Sequence, residues 1–198
     1  MAKSLFLEGT DGSGKSTQFA LLKSYLESKH IEYVALREPG GSEYYEALRD
    51  FYLHAEHEHP AVSDALLSAA GRAANIEQSR RALAEKKWVI TDRAYPSSFV
   101  YQAVQGLNLA DIQDINRHAL QDFEYDIKIL LDVPVDVAAS RVNDSGAKKD
   151  YWESQGSDFF TNIRNKYLEL AQQENFVVID ASEDIQTVQQ KILETLGI

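Results

Sequence analysis

Three observations predict an α/β chain built on a five-stranded parallel sheet flanked by helices. Short apolar runs recur, helix-length amphipathic segments lie between them, and a glycine-rich turn follows the first run directly. The runs are "SLFLE" (4–8), "EYVAL" (32–36), "WVIT" (88–91), "IKILLDV" (127–133) and "FVVID" (176–180). None alternates polar with apolar residues, so each reads as a strand buried on both faces. Between them "STQFALLKSYLESK" (16–29), "DALLSAAGRAANIEQSRRALAEKK" (64–87) and "DIQTVQQKILETL" (184–196) carry helical patterns. Strands alternating with helices imply a parallel sheet wrapped on both sides, with ligands at the carboxyl ends of the strands. One stretch breaks the pattern: "VNDSGAKKDYWESQGSD" (142–158) is polar, contains glycine and is poorly periodic, so it is predicted to be a mobile loop.

The chain has 198 residues, 44% of them hydrophobic and 10% aromatic, which suits one compact domain over residues 1–198. There are no internal repeats. A formal net charge of −11 opposes binding to nucleic acid or to an anionic membrane, because no diffuse basic surface is available to release counterions. Any polyanionic ligand must meet a local cluster of Lys and Arg. The absence of cysteine removes disulfides, a thiolate nucleophile and Cys-based zinc sites. The apolar start "MAKSLFLEG" is too short, and is interrupted at Glu8, for a signal peptide or a membrane span. A cytoplasmic protein is expected.

"GTDGSGKS" (9–16) fits G-x-x-x-x-G-K-[ST], with a strand before it and a helix after it. The glycines let backbone N–H groups converge on phosphate oxygens, and the helix N-terminus adds positive potential. Lys15 is expected to reach the β- and γ-phosphates, and the Ser16 hydroxyl to ligate Mg²⁺. The residues Gly9, Thr10, Asp11, Gly12, Ser13, Gly14, Lys15, Ser16 and Thr17 form this cradle.

"WVITDR" sets Asp92 and Arg93 at a strand's carboxyl end, where an acid can hold the magnesium shell and an arginine can grip a phosphate bidentately. A plain surface ion pair is the alternative. "REPGG" (37–41) places Arg37 and Glu38 similarly, or is only a strand-to-helix turn. Arg72, among the alanines of "LSAAGRAANIE", has space beside it for a ligand, unless that helix face is simply solvated. Tyr101 and Gln102 offer a ring and an amide to a base or sugar, although core packing explains the tyrosine equally well. His54, His57 and His59 in "HAEHEHP" lack metal-site spacing and read as surface.

A GTPase switch would need a guanine-reading N-K-x-D segment, whereas "NKYL" (165–168) has no Asp in place and lies in a helical pattern. Arginines at several strand ends of an acidic chain point instead to a second anionic ligand facing the first. That is the layout of phosphoryl transfer between two nucleotides.

With these residues in order, the chain resembles the thymidylate kinase family, whose members move the γ-phosphoryl of ATP onto dTMP. The resemblance rests on "LEGTDGSGKST", "REPGG" with "ALRD" behind it, "GRAANIEQSRRALAEKKWVITDRAYPSSFVYQ", "LLDVPVDVAASR", and "SDFFTNIRNKYLELA" before "VVIDAS". It implies a P-loop nucleoside-monophosphate-kinase-like fold with a mobile lid at about 142–158, usually homodimeric through helices beside the sheet. Lys15, Ser16 and Thr17 would serve ATP and Mg²⁺, and Asp11 would face the acceptor phosphate or its metal shell. Arg93 would hold the acceptor phosphate, with Arg37 and Arg49 lining that side. Arg72 would address the base, Ser98 would sit beside it, Tyr101 would crowd the sugar 2′ position, and Arg141 would contact nucleotide.

The chain departs from the family in two places. Some members carry an arginine at the position of Gly12, and the lid's usual arginine in D-R-x-E aligns with Tyr151 of "DYWE". Lys148 and Lys149 are then the candidate cations for the transferring phosphoryl, as point charges without a guanidinium fork. Around the base site, Ser68 stands where the family has a stacking phenylalanine, Gly71 where it has an acid, and Ala94 where Tyr or His is common. The site is therefore wider, with an altered base preference among deoxynucleoside monophosphates as one consequence, or else another aromatic, Tyr44 or Tyr45, refills it. A nucleotide-binding P-loop protein without catalysis is the remaining alternative.

Overall fold

The computed structural model describes residues 1–54, 60–144, 152 and 156–198. His57 and His59, Lys148 and Lys149, Tyr151 and most of the expected lid lie outside them. The elements run β1 (Ser4–Glu8), α1 (Lys15–Ser28), β2 (Tyr33–Arg37), α2 (Glu43–His54), α3 (Ala61–Ala84), β3 (Trp88–Asp92), α4 (Tyr95–Val104) and α5 (Leu109–Leu120). They continue with β4 (Ile127–Asp132), α6 (Val135–Asp144), α7 (Ser157–Gln173), β5 (Val177–Asp180) and α8 (Ile185–Leu196). α6 and α7 thus take both ends of the 142–158 stretch into regular helix.

All strand pairings are parallel, in the order β2-β3-β1-β4-β5. The chain leaves β1 toward β2 on one side and later crosses to β4 on the other, so the connections reverse at β1. Ligand crevices in such sheets open at the carboxyl ends of the strands at that reversal. The expectation of strands buried on both faces holds for β1 and most of β3, but not at the sheet edges. β2 is half-open, and Val177 and Val178 of β5 are exposed, because an edge strand has neighbours on one side only.

Two apolar layers sandwich the sheet. Leu5 and Leu7 face Phe19, Leu22 and Leu26 of α1 and Val188 and Ile192 of α8. Phe6, between them in sequence, points the other way into a layer built with α3, α4 and α7, as the period-2 alternation of a strand requires. Its ring meets Tyr95, Tyr125 and Phe176 edge-on at 5.8, 5.1 and 5.2 Å. Such contacts add to the area that a large ring buries. Among the described residues no helix is long and apolar enough to cross a membrane.

Phe6→Ala empties the centre of that aromatic layer. A loss of about 3–5 kcal/mol of unfolding free energy is expected, read by chemical denaturation; a loss below about 1 kcal/mol would mean the layer closes over the gap.

Candidate active site

The turn after β1 delivers Gly9–Gly14 to the N-terminus of α1, whose first residue is Lys15. Gly14 caps that helix in the left-handed conformation at φ 89°, so the unpaired N–H groups of the first turn open into a cleft. Lys15 Nζ donates to the Gly9 and Thr10 carbonyls at 2.9 and 2.8 Å. Burial, helped by the neighbouring positive charge of Arg93, brings its pKa down to about 8 against the pull of Asp11. Ser16 and Thr17 are exposed on the same cleft, which Arg37, Arg49, Asp92 and Arg141 also line. Arg141 Nη1 donates to the Ala181 carbonyl at 3.0 Å, and Arg49 donates to the Pro39 carbonyl.

Gly12 sits at φ 78°, and a Cβ there would collide with the Ala138 backbone of α6. Conformation and space both argue for glycine at this position. The cradle therefore keeps no side chain over it from residue 12.

At the end of β3 the chain turns sharply: Arg93 has φ 63°, a left-handed conformation uncommon for a non-glycine residue. The turn is held by Arg93 N donating to Leu7 O at 2.9 Å, and by Glu8. Glu8 ends β1 with no exposed surface, and accepts from Ala94 N at 2.9 Å, Ser97 N at 3.1 Å and Tyr167 Oη at 2.8 Å. Burial pushes its carboxyl above the usual range, opposed by Arg93, 3.8 Å away, and by those donors. Arg93 itself reaches Asp11, the Gly9 carbonyl at 2.9 Å and Tyr167 Oη at 3.2 Å, with its guanidinium 5.6 Å from the Tyr101 ring centre. Burial would raise the Asp11 pKa, but Arg93 and Lys15 outweigh it and hold this carboxyl low.

Beside the cleft lies a narrow pocket of about 80 Å³. α4 presents Ser98, Tyr101 and Gln102 to it, α3 presents Ser68 and Arg72, and Tyr45 enters from α2. Arg72 is 1% exposed and bound to Glu38, with Nε–Oε2 at 2.9 Å and Nη2–Oε2 at 2.5 Å, and it also donates to Asn116. Burial pushes the Glu38 carboxyl up while Arg72 pulls it back. The guanidinium is thereby fixed in the pocket wall.

The structure thus gathers Asp11, Arg72, Arg93, Ser98, Tyr101 and Gln102 around the pocket, and Lys15, Ser16, Thr17, Asp92, Arg37, Arg49 and Arg141 around the cleft. Among the described residues, four line both spaces: Asp11, Glu38, Pro39 and Arg93. Of the two tyrosines, Tyr45 lines the pocket beside Ser68, whereas Tyr44 is 61% exposed. Ala94 is fully buried and lends its backbone to Glu8. Sequence reasoning did not single out Glu8, Tyr167, Asn116 or Trp152. For Glu8 a signal was present, a carboxylate closing an otherwise apolar strand; the other three become neighbours of the site only through packing.

Magnesium fits the cleft. Asp92 Oδ1 is buried without a hydrogen-bond partner among the described residues, Ser16 lines the same cleft, and this metal takes few protein oxygens and keeps several waters.

A family model described as "Thymidylate kinase" matches residues 7–192. A thymidylate kinase of Fervidobacterium nodosum is 40% identical over 193 residues, covering 96% of each chain. One from Kosmotoga olearia is 37% identical over 191 residues, 94% of this chain and 91% of the relative. One from Symbiobacterium thermophilum is 39% identical over 197 residues, 97% of this chain and 91% of the relative. By the span of that match and by these identities over nearly the whole length, the chain belongs to the thymidylate kinase family.

Proposed function

We propose that the chain is an ATP-dependent dTMP kinase, a phosphotransferase that moves the γ-phosphoryl of ATP to dTMP and releases ADP and dTDP. The observation that carries this reading is the wall shared by the cleft and the pocket, where Asp11 and Arg93 meet. A donor laid in the phosphate loop and an acceptor seated in the pocket direct their phosphates at the same point. One acceptor oxygen attacks the γ-phosphorus as the bond to the β-bridging oxygen breaks, so no covalent enzyme intermediate is needed.

Catalysis is then positioning and charge neutralisation. Lys15 and the loop amides hold the donor's β- and γ-phosphates. Arg93, oriented by Asp11, Tyr167 and the Gly9 carbonyl, grips the acceptor phosphate. Arg37 and Arg49 add positive charge on that side, and Arg141 addresses the donor nucleotide. Asp92 and Ser16 would hold Mg²⁺, which neutralises phosphate charge when bound. Arg72, Ser98 and Gln102 face the base, and Tyr101 faces the sugar. Since Gly12 brings no charge, Lys148 and Lys149 are proposed to supply the cation on the transferring phosphoryl.

The enzyme is proposed to act as one cytoplasmic kinase domain, paired as a homodimer. Val62 and Leu66, one helical turn apart on α3, are 51% and 54% exposed, and the exposed Tyr44 lies on α2, which packs against α3. An apolar strip of this kind suits a two-fold interface.

Purified protein with ATP, Mg²⁺ and each deoxynucleoside monophosphate is expected to make dTDP, with chelation of the metal stopping turnover. Formation of a different diphosphate in its place would overturn the assignment. Arg93→Ala is expected to lower kcat/KM for dTMP by about a thousandfold while the circular dichroism is kept. Lys148→Ala with Lys149→Ala is expected to reduce kcat about tenfold or more with KM for dTMP little changed; unchanged kcat would remove both lysines from the mechanism. Sedimentation is expected to give twice the chain mass, and Leu66→Asp to halve it; a wild-type monomer would exclude the pairing.

A further inference from the structure

The base side of the acceptor pocket lacks an aromatic on α3, where Ser68 and Gly71 are both small. The ring in this wall comes from another element. Tyr45, in the first turn of α2, is 2% exposed and lines the pocket together with Ser68 and Arg72. Gly71 is its seat: a Cβ there would overlap three carbons of the Tyr45 ring. No other residue type fits under the ring as it stands.

The ring is also preorganised through its backbone. Tyr45 N donates to Ser42 Oγ at 3.2 Å, and Ser42 N donates to Asn75 Oδ1 at 3.0 Å. Asn75 lies on α3 one turn beyond Gly71, and its amide donates to the Gly40 carbonyl at 2.8 Å. Glu46, next to Tyr45, accepts from Gly41 N at 2.7 Å and pairs with Arg37. The first turn of α2 is thus tied to α3 through Ser42 and Asn75, and to the end of β2 and the loop after it through Glu46. A rigid aromatic held this way loses little further freedom when a flat ligand packs on it.

We propose that Tyr45, seated on Gly71, is the aromatic wall against which the acceptor's base packs, and that this pair sets how wide a base the pocket admits. The proposal rests on the dTMP kinase reading and names the specificity determinant of the same site. Tyr45 is a binding residue here: its ring takes no part in the phosphoryl step, and Arg72, fixed by Glu38 and Asn116, supplies the polar contact beside it.

The test is a set of variants at the two positions. Tyr45→Phe keeps the ring, and KM for dTMP is expected to stay within about threefold. Tyr45→Leu keeps most of the bulk without the ring, and KM for dTMP is expected to rise about 10- to 100-fold, with KM for ATP unchanged and kcat less affected. Gly71→Ala displaces the ring and should produce a similar rise. In Tyr45→Ala/Gly71→Ala the second change is expected to add nothing to Tyr45→Ala alone, since the two residues act through one contact. A KM for dTMP within twofold of wild type in Tyr45→Leu, or independent additive effects of the two positions, would overturn the proposal. Calorimetric titration with dTMP alone reads the same wall without turnover. A wild-type protein that binds dTMP through Tyr45 yet does not phosphorylate it would therefore sink the kinase reading and leave the wall standing.

Discussion

Glu8 is fully buried at the carboxyl end of β1, and a carboxylate in that position is tolerable only where donors and a cation come to meet it. Here they arrive from two other elements. Ala94 N and the Ser97 backbone and hydroxyl bring the start of α4, Tyr167 brings α7, and Arg93 stands at salt-bridge distance. The turn after β3, with Arg93 in its left-handed conformation, is therefore tied to the strand that carries the phosphate loop. From that turn Arg93 reaches across the loop to Asp11, with the Gly9 carbonyl and Tyr167 completing its orientation.

The same economy explains how a chain of net charge −11 accommodates two anionic ligands. Lys15, Arg93, Arg37, Arg49 and Arg141 converge on the strand ends, while much of the acidic excess lies elsewhere on the molecule. Each of the buried cations is held by oxygens: Lys15 by two carbonyls, Arg93 by Asp11 and Gly9, Arg72 by Glu38 and Asn116. Fixed in this way, the positive groups are already in position when phosphate arrives, which is where electrostatic catalysis draws its advantage over water.

Much of this was legible in the chain itself, because the features involved are local. A strand, a glycine turn and a helix in immediate succession define the phosphate loop, and the two-residue "DR" after an apolar run marks the opposite side. The central strands read correctly because burial on both faces leaves a continuous apolar run. The same reading overestimated the edge strands, since β5 carries "VVID" in sequence yet leaves Val177 and Val178 exposed. Gly12 also found its physical reason only in space. Its left-handed conformation is a local matter, but the collision that a side chain would meet comes from Ala138, far along the chain.

By itself the sequence determined the α/β class and the phosphate loop, because each depends on residues adjacent in the chain or on hydrophobic period. Only the tertiary structure decided how the pocket beside the phosphate loop is walled. Ser68 and Gly71 leave space on α3, and whether Tyr44 or Tyr45 takes it depends on the rotation of α2 about its own axis as it packs on α3. Adjacent positions on a helix point about 100° apart, so that packing turns one tyrosine to solvent and seats the other on Gly71.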